Sequence, residues 1–534
     1  MTRTLFSLLL SSSNSNQNSR ILKIGGIVNP MISVLDFGSQ YTQLIARKIR
    51  SVNVYAEIAP CTVSMEQIRE KNPSGLVLSG GPSSVLNEGA PLVSKEIFEL
   101  GIPILGICYG MQLMTHLFGG EVRKSDRREY GRAEMKISTD DPVFEGIPEK
   151  LVVWMSHGDS VKSVPEEFEL LGTSEDCPSV IMKHKTLPFY GVQFHPEVHH
   201  TARGVRFLKN FAMRVCGEKG DWKISDFVER AIESLRETTK GCRVLCGVSG
   251  GVDSTVLAVL LHRAIGDNLK SVFVDNGLLR KEEAETVIRR FEKLRVPVKF
   301  IDASERFLEK LRGVVDPEKK RRIIGKEFVD VFFTELEDGD LLAQGTLYPD
   351  VIESVSVKGP SATIKTHHNR VEEILRMEEQ NRLVEPLKEL FKDEVREAGA
   401  TMGIPEEVLR RQPFPGPGLA VRIIGDVSPE RLAMLREADV ILLEEIKAVG
   451  LYEKIWQTFC VLLPIQSVGV MGDERTYEHA VAIRAVNSVD GMTADWVRMP
   501  EKVLARISNR IINEVKGINR VVYDISSKPP STIE

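Results

Sequence analysis

The 534-residue sequence holds no apolar stretch of the roughly 18–20 residues that a membrane span requires. Its seven cysteines include no CxxC pair, which speaks against a disulfide framework and fits a reducing, cytoplasmic setting. Cys242 and Cys246 have no His/Cys set near them in sequence, so core packing is the expected role of both. Basic residues do not exceed acidic ones (70 against 75, net charge −5), so there is no electrostatic footprint for nucleic acid or an anionic membrane. Internal repeats are lacking too. What the chain does have is length, too much for one core, and two to four domains are expected. Its 42% hydrophobic and 27% charged residues are ordinary for a globular protein.

Met1–Pro30 contains no acidic residue, a short Leu-rich patch (Leu5–Leu10) and the polar tract Ser11–Ser19. The patch is short and no small-residue cleavage site follows it. A disordered extension or a start-codon miscall, with the protein beginning at Met31, is expected ahead of a signal or transit peptide.

From Ile32 onward, β-like apolar runs alternate with helical ones: Ile32–Leu35 and Tyr41–Ile49, Gly75–Leu78 and Val93–Leu100, Ile102–Ile107 and Met111–Leu117. Such alternation implies βαβ units on a parallel sheet. Strands are expected at Leu151–Met155, Val180–Lys183 and Phe189–Phe194, with a closing helix through Phe211. A polar linker, Gly217–Asp221, precedes a second βα series from Val244, with strands at Ser271–Asp275 and Pro297–Ile301. Pro413–Gly418 marks a further boundary, followed by mixed signals at Glu430–Lys447, Val461–Val470, Ala480–Val486, Glu501–Lys516 and Arg520–Ser526. The expected fold class is α/β: two successive parallel-sheet domains (31–217 and 218–412), then a smaller α+β domain (413–534).

Residues 247–254, Gly-Val-Ser-Gly-Gly-Val-Asp-Ser, join an apolar run to a helical one. Their backbone N–H groups and the helix N-terminus form an anion cradle suited to phosphate or pyrophosphate. The loop lacks the Gly-Lys-Ser/Thr ending of the Walker type. It has Asp253 instead, a carboxylate that makes sense beside phosphate when Mg²⁺ lies between them. Ser249 and Ser254 add hydroxyls from either side. The combination resembles the SGGxDS loop of the ATP pyrophosphatases, which cleave ATP between its α- and β-phosphates and adenylate a substrate.

Upstream, Ile104-Leu-Gly-Ile-Cys-Tyr-Gly-Met-Gln puts Cys108 at a strand-to-helix turn between Gly106 and Gly110, the geometry of a nucleophile elbow. A helix N-terminus behind a thiol favours its thiolate. Gly191-Val-Gln-Phe-His-Pro-Glu supplies a base and an orienting group, His195 and Glu197. Leu78-Ser-Gly-Gly-Pro can present a backbone N–H at Gly81, and the Tyr109 amide can complete an oxyanion hole. Together, in this order, the three motifs resemble class I glutamine amidotransferases. The resemblance implies that Cys108 forms a thioester with glutamine while His195 and Glu197 serve it. It also implies that Gln112 and the Trp154-Met-Ser-His-Gly-Asp segment, with Ser156 and His157, bind the glutamine.

Further segments resemble the GMP synthase family: Phe273-Val-Asp-Asn-Gly-Leu-Leu-Arg, Ala343-Gln-Gly-Thr-Leu-Tyr-Pro-Asp, Ile364-Lys-Thr-His-His-Asn, Pro413-Phe-Pro-Gly-Pro-Gly-Leu, Gly469-Val-Met-Gly-Asp and Ser527-Lys-Pro-Pro-Ser-Thr-Ile-Glu. This resemblance runs from Ile32 to the last residue. It implies a ligase forming a C–N bond: xanthosine monophosphate (XMP) becomes GMP at the expense of ATP and glutamine. By the same resemblance ATP and its Mg²⁺ meet Ser249, Gly250, Gly251, Val252, Asp253 and Ser254, with Val274 near the adenine and Lys365 toward phosphate. XMP meets Arg321, Gln457, Asp473, Lys528 and Glu534, and the last domain forms a homodimer. Two departures stand out. Arg370–Glu379 reads as a charged helix where a glycine-rich stretch is usual, and the family's closing Glu-Trp-Glu is shortened to Glu534, which fits weaker purine binding or a truncated record. A relative of NAD or asparagine synthases would lack the Pro-Phe-Pro-Gly-Pro-Gly and Lys-Pro-Pro segments. A silent scaffold would have lost Cys108, Asp253 or His195.

Overall fold

The computed structural model describes residues 31–355, 372–471, 474–488 and 493–534. The N-terminal extension, Lys365 and Asp473 lie outside the described residues. Among the described residues no helix is long and apolar enough to cross a membrane.

The first sheet has nine strands. Five are parallel, in the spatial order Ala56–Pro60, Ile32–Asp36, Gly75–Leu78, Ile104–Ile107, Phe189–Val192. The three central strands, Gly75–Leu78, Ile104–Ile107 and Phe189–Val192, carry continuous apolar runs and are buried throughout, as covering on both faces requires. Beyond Phe189–Val192 the sheet turns antiparallel through Ile181–His184, Phe168–Ser174, Glu121–Ile137 and Lys150–Ser163. The long hairpin of the last two strands exceeds the short strand expected at Leu151–Met155. Alternate residues along Lys150–Ser163 face solvent, so its apolar signal is diluted by charge. The segment expected as a helix at Val93–Leu100 is a short 3₁₀ turn, Lys95–Glu99, capped by the Ser94 side chain.

The second sheet is wholly parallel, in the order Val298–Asp302, Leu269–Asp275, Val244–Gly247, Leu341–Ala343, Leu383–Val384. Helix Val252–Ile265, apolar nearly all round, is its central covering helix. Cys246 is buried in this core as expected, whereas Cys242 is exposed. Helix Glu372–Glu379 accounts for most of the expected charged helix.

Helix Pro429–Ala448, capped by Ser428, packs on a third sheet. That sheet pairs Gln457–Met471 with Glu474–Asn487, which also pairs with Asp495–Trp496 and, in parallel, with Ile518–Asp524. One apolar cluster runs from Leu245 and Val272 to Ile483 and Ile518, so the core continues across Pro413–Gly418.

The first two sheets meet at Arg50. Its side chain is 2% exposed, and its guanidinium lies 4.6 Å from the Tyr55 ring, 5.0 Å from Tyr348 and 5.1 Å from Phe391. It donates to Ala56 O (2.7 Å), Glu389 O (2.6 Å) and Glu394 Oε2 (2.8 Å). A buried cation is tolerated only with partners of this kind.

Candidate active site

Cys108 follows the strand Ile104–Ile107 and is the N-cap of helix Tyr109–Leu117. Its φ of 51° is left-handed, a conformation that costs an L-residue roughly 1–2 kcal/mol and persists only where neighbours enforce it. They do so here. Cys108 N donates to Val192 O at 2.7 Å and Gly110 N to Ser79 O at 3.1 Å. A Cβ at Gly106 would stand 2.6 Å from the Gly110 backbone, and one at Gly110 would stand 2.3 Å from Leu78 O. Two adjoining backbones therefore need both glycines.

The structure brings His195 and Glu197 to this elbow. His195 Nδ1 and Glu197 Oε1 are 2.7 Å apart, with both side chains buried. Burial works against the imidazolium, but Glu197, with Cys108 hydrogen-bonded to the same ring, outweighs it and holds the His195 pKa well above its usual value. The Tyr41 ring meets the imidazole edge-on, with centroids 5.2 Å apart. A Cβ at Gly80 would lie 3.2 Å from His195 Cε1, so the Ser-Gly-Gly-Pro turn rests against the imidazole. Gly81 is pressed against Phe37 O and the Tyr109 ring. Tyr109 is the first residue of the helix, where amides have no intrahelical acceptor.

The hairpin strand Lys150–Ser163 carries Ser156 over the thiol, with Ser156 O 3.7 Å from Cys108 Sγ. Gln112 donates to Asp159 O at 2.8 Å. His157 turns to Glu129, with Nε2 3.0 Å from Oε2, and burial lowers its pKa to about 4, so the ring is neutral. Sequence reasoning missed Glu129, Tyr41 and Gln193, whose amide lies 3.7 Å from Cys108 Sγ. Gln193 could have been found, since it stands two residues before His195; Glu129 and Tyr41 carry no motif.

In the second sheet, residues 248–251 link strand Val244–Gly247 to helix Val252–Ile265. Gly250 has φ +71°, and a Cβ there would stand 2.3 Å from Val287. The loop is pinned internally. Ser249 N donates to Ser254 Oγ at 3.2 Å, and the two seryl oxygens are 3.1 Å apart. Arg411 donates to Gly250 O at 3.0 Å. Asp253 Oδ2 accepts from Lys392 Nζ at 3.1 Å, while its Oδ1 is buried with no hydrogen-bond partner. An unpartnered carboxylate oxygen in a glycine turn at a helix N-terminus fits a hard divalent cation such as Mg²⁺. Val274 is buried in the neighbouring strand. Lys392 and Arg411 carry no sequence signal and reach the loop only through the fold.

Of the residues expected at the purine, Gln457 and Glu534 come together: Gln457 Nε2 donates to Glu534 Oε1 and, at 3.1 Å, to Pro413 O. Lys528 pairs with Ala494 through its backbone, donating at 2.7 Å and accepting at 3.0 Å. Arg321, on helix Pro317–Phe332, pairs with Glu318 one turn away.

Three family models match in succession: residues 33–215 match Glutamine amidotransferase class-I, 223–322 match NAD synthase, and 444–534 match GMP synthase C terminal domain. The GMP synthase (glutamine-hydrolyzing) of Aquifex aeolicus is 56% identical over 508 residues, covering 94% of this chain and 99% of its own length. That of Maridesulfovibrio salexigens is 57% identical over 511 residues, covering 94% and 98%. The chain belongs to the family of glutamine-hydrolysing GMP synthases.

Proposed function

We propose that the chain divides glutamine-dependent GMP synthesis between two centres on separate sheets. At the first, Cys108 Sγ attacks the side-chain amide carbon of glutamine, and the Gly81 and Tyr109 amides receive the oxyanion. The C–N bond breaks, His195 delivers its proton to the leaving nitrogen, and ammonia departs from a thioester. His195 then takes a proton from water, which hydrolyses the thioester to glutamate and frees the thiol. Glu197 fixes the ring and offsets its charge. Gln112, Ser156 and His157 frame the glutamine.

At the second centre, Ser249–Ser254 hold the pyrophosphate of ATP, with Val274 against the adenine and Lys365 toward phosphate. A magnesium ion held by Asp253 would neutralise phosphate charge. The oxygen on C2 of XMP displaces pyrophosphate from the α-phosphorus; ammonia then adds at C2 and AMP leaves, giving GMP. Arg321, Gln457, Asp473, Lys528 and Glu534 bind XMP. The three functional units are 31–217 (amidotransferase), 218–412 (adenylating) and 413–534 (XMP-binding and dimer-forming).

Homodimerisation through the last unit is supported by an exposed apolar face on its sheet. Val468, Val470 and Tyr477 are 54%, 73% and 63% exposed, and Val468 stands opposite Tyr477 in the register. Adjacent apolar side chains this exposed are characteristic of an association surface, and a C₂ contact would pair the face with itself.

The observation that carries the reading is the left-handed Cys108 elbow beside the His195–Glu197 pair, in a chain that also bears the Asp253 loop. The test is Cys108→Ala, which is expected to lose glutamine-dependent GMP formation and keep ammonia-dependent formation.

A further inference from the structure

We infer that Arg422 is a positioning residue for the purine site: it fixes the carboxylate of Glu534 and, through that carboxylate, the amide of Gln457. The inference rests on the reading that places XMP at Gln457 and Glu534.

Arg422 closes the short 3₁₀ turn Gly418–Arg422, and its side chain is 1% exposed. Its guanidinium lies 4.1 Å from the Phe459 ring centroid and 5.2 Å from that of Phe414. Nη2 pairs with Glu534 Oε1, the same oxygen that accepts from Gln457. Nε and Nη1 are buried without hydrogen-bond partners. Among the described residues Glu534 is the acidic partner of this buried cation, and the charge attraction between them is little screened. A guanidinium packed against two aromatic rings also has little rotamer freedom, so it holds its partner in one place.

The turn bearing Arg422 is itself fixed. Gly418 has φ +63°, with no room for a Cβ against Leu278 O, and Leu419 N donates to Leu278 O at 2.7 Å. Phe414 also lies 4.9 Å from the Arg280 guanidinium, which pairs with Asp439 at 2.9 Å. The tail backbone is held by a different arginine. Arg484 does that work, donating to Ile533 O at 2.8 Å and to Thr532 O at 2.7 Å. The contact Arg422 makes with the tail is to the Glu534 side chain, which suits it to setting that carboxylate.

The experiment is steady-state kinetics with ammonia as nitrogen donor and XMP varied, on Arg422→Lys, Glu534→Gln and the double variant, each checked by thermal melting. Lysine keeps the charge but loses the planar fork and the stack. The expected result is a rise of about tenfold in KM for XMP in each single variant, the size of one lost charge-assisted contact. kcat should change far less, and the double variant should be no worse than the poorer single one. A folded Arg422→Lys enzyme with KM unchanged, or single effects that multiply in the double variant, overturns the inference while leaving the XMP placement standing. A Glu534→Gln enzyme with unchanged KM overturns the placement itself and the inference with it. Should Arg422→Lys fail to fold, Phe459→Leu removes the stack and keeps the charge; it too must raise KM for XMP, and an unchanged KM refutes the proposal.

Discussion

Replacing Glu197 by Gln keeps the shape of the group beside His195 and removes its charge. The affected contact is the 2.7 Å pairing of His195 Nδ1 with Glu197 Oε1, in a site where both side chains are buried. A hydrogen bond to a charged group contributes about 1.5–3 kcal/mol. At about 1.4 kcal/mol per factor of ten, the variant should hydrolyse glutamine about 10- to 140-fold more slowly. The sign of the pH effect follows from the same contact. Glu197 contributes to holding the His195 pKa well above its usual value, so its loss lets that pKa fall. The limb of the pH–rate profile that reports His195 therefore moves to lower pH. The assay is glutamate release at saturating glutamine, ATP and XMP, with ammonia-dependent GMP formation measured on the same preparation as an internal control. A loss of less than threefold with an unmoved limb would refute the assignment of Glu197 as the group that orients and charges His195.

Arg50→Met should destabilise the chain by about 3–5 kcal/mol in denaturant unfolding, because it strands buried Glu394. Burial already raises the Glu394 pKa with Arg50 opposing it, so without Arg50 the folded state binds a proton that the unfolded chain releases, and the deficit should grow from pH 5 to pH 8; a pH-independent deficit contradicts this. Val470→Asp, on the exposed face of the third sheet, should shift sedimentation from dimer to monomer, and an unchanged sedimentation coefficient counts against that face.

Both chemical turns were legible in the sequence because each is local. A strand end, a glycine-bounded turn and a helix start fall within about ten residues, and the spacing of Cys108, Gly106 and Gly110 carries its own steric reason. The parallel cores were legible for a related reason, since strands covered on both faces are apolar throughout. What escaped was either diluted or distant. The hairpin strand that brings Ser156 to the thiol alternates buried with exposed residues, and only its more apolar first part, Leu151–Met155, is legible. Lys392 meets Asp253 across 139 residues, Arg422 meets Glu534 across 112, and Arg50 meets Glu394 across 344. No periodicity encodes such pairs; folding alone brings them together. The turn that follows the Pro413–Gly418 cluster is bonded to Leu278, and an apolar cluster joins residues on both sides of it, a packing that composition does not encode.

The division of labour between Cys108 and Asp253 is tested most directly by measuring glutamine-dependent and ammonia-dependent GMP formation side by side in Cys108→Ala and Asp253→Asn. The account predicts that the first variant loses only the glutamine-dependent reaction and that the second loses both, because adenylation of XMP precedes any amination. Loss of both activities in Cys108→Ala, or ammonia-dependent turnover surviving in Asp253→Asn, would contradict it.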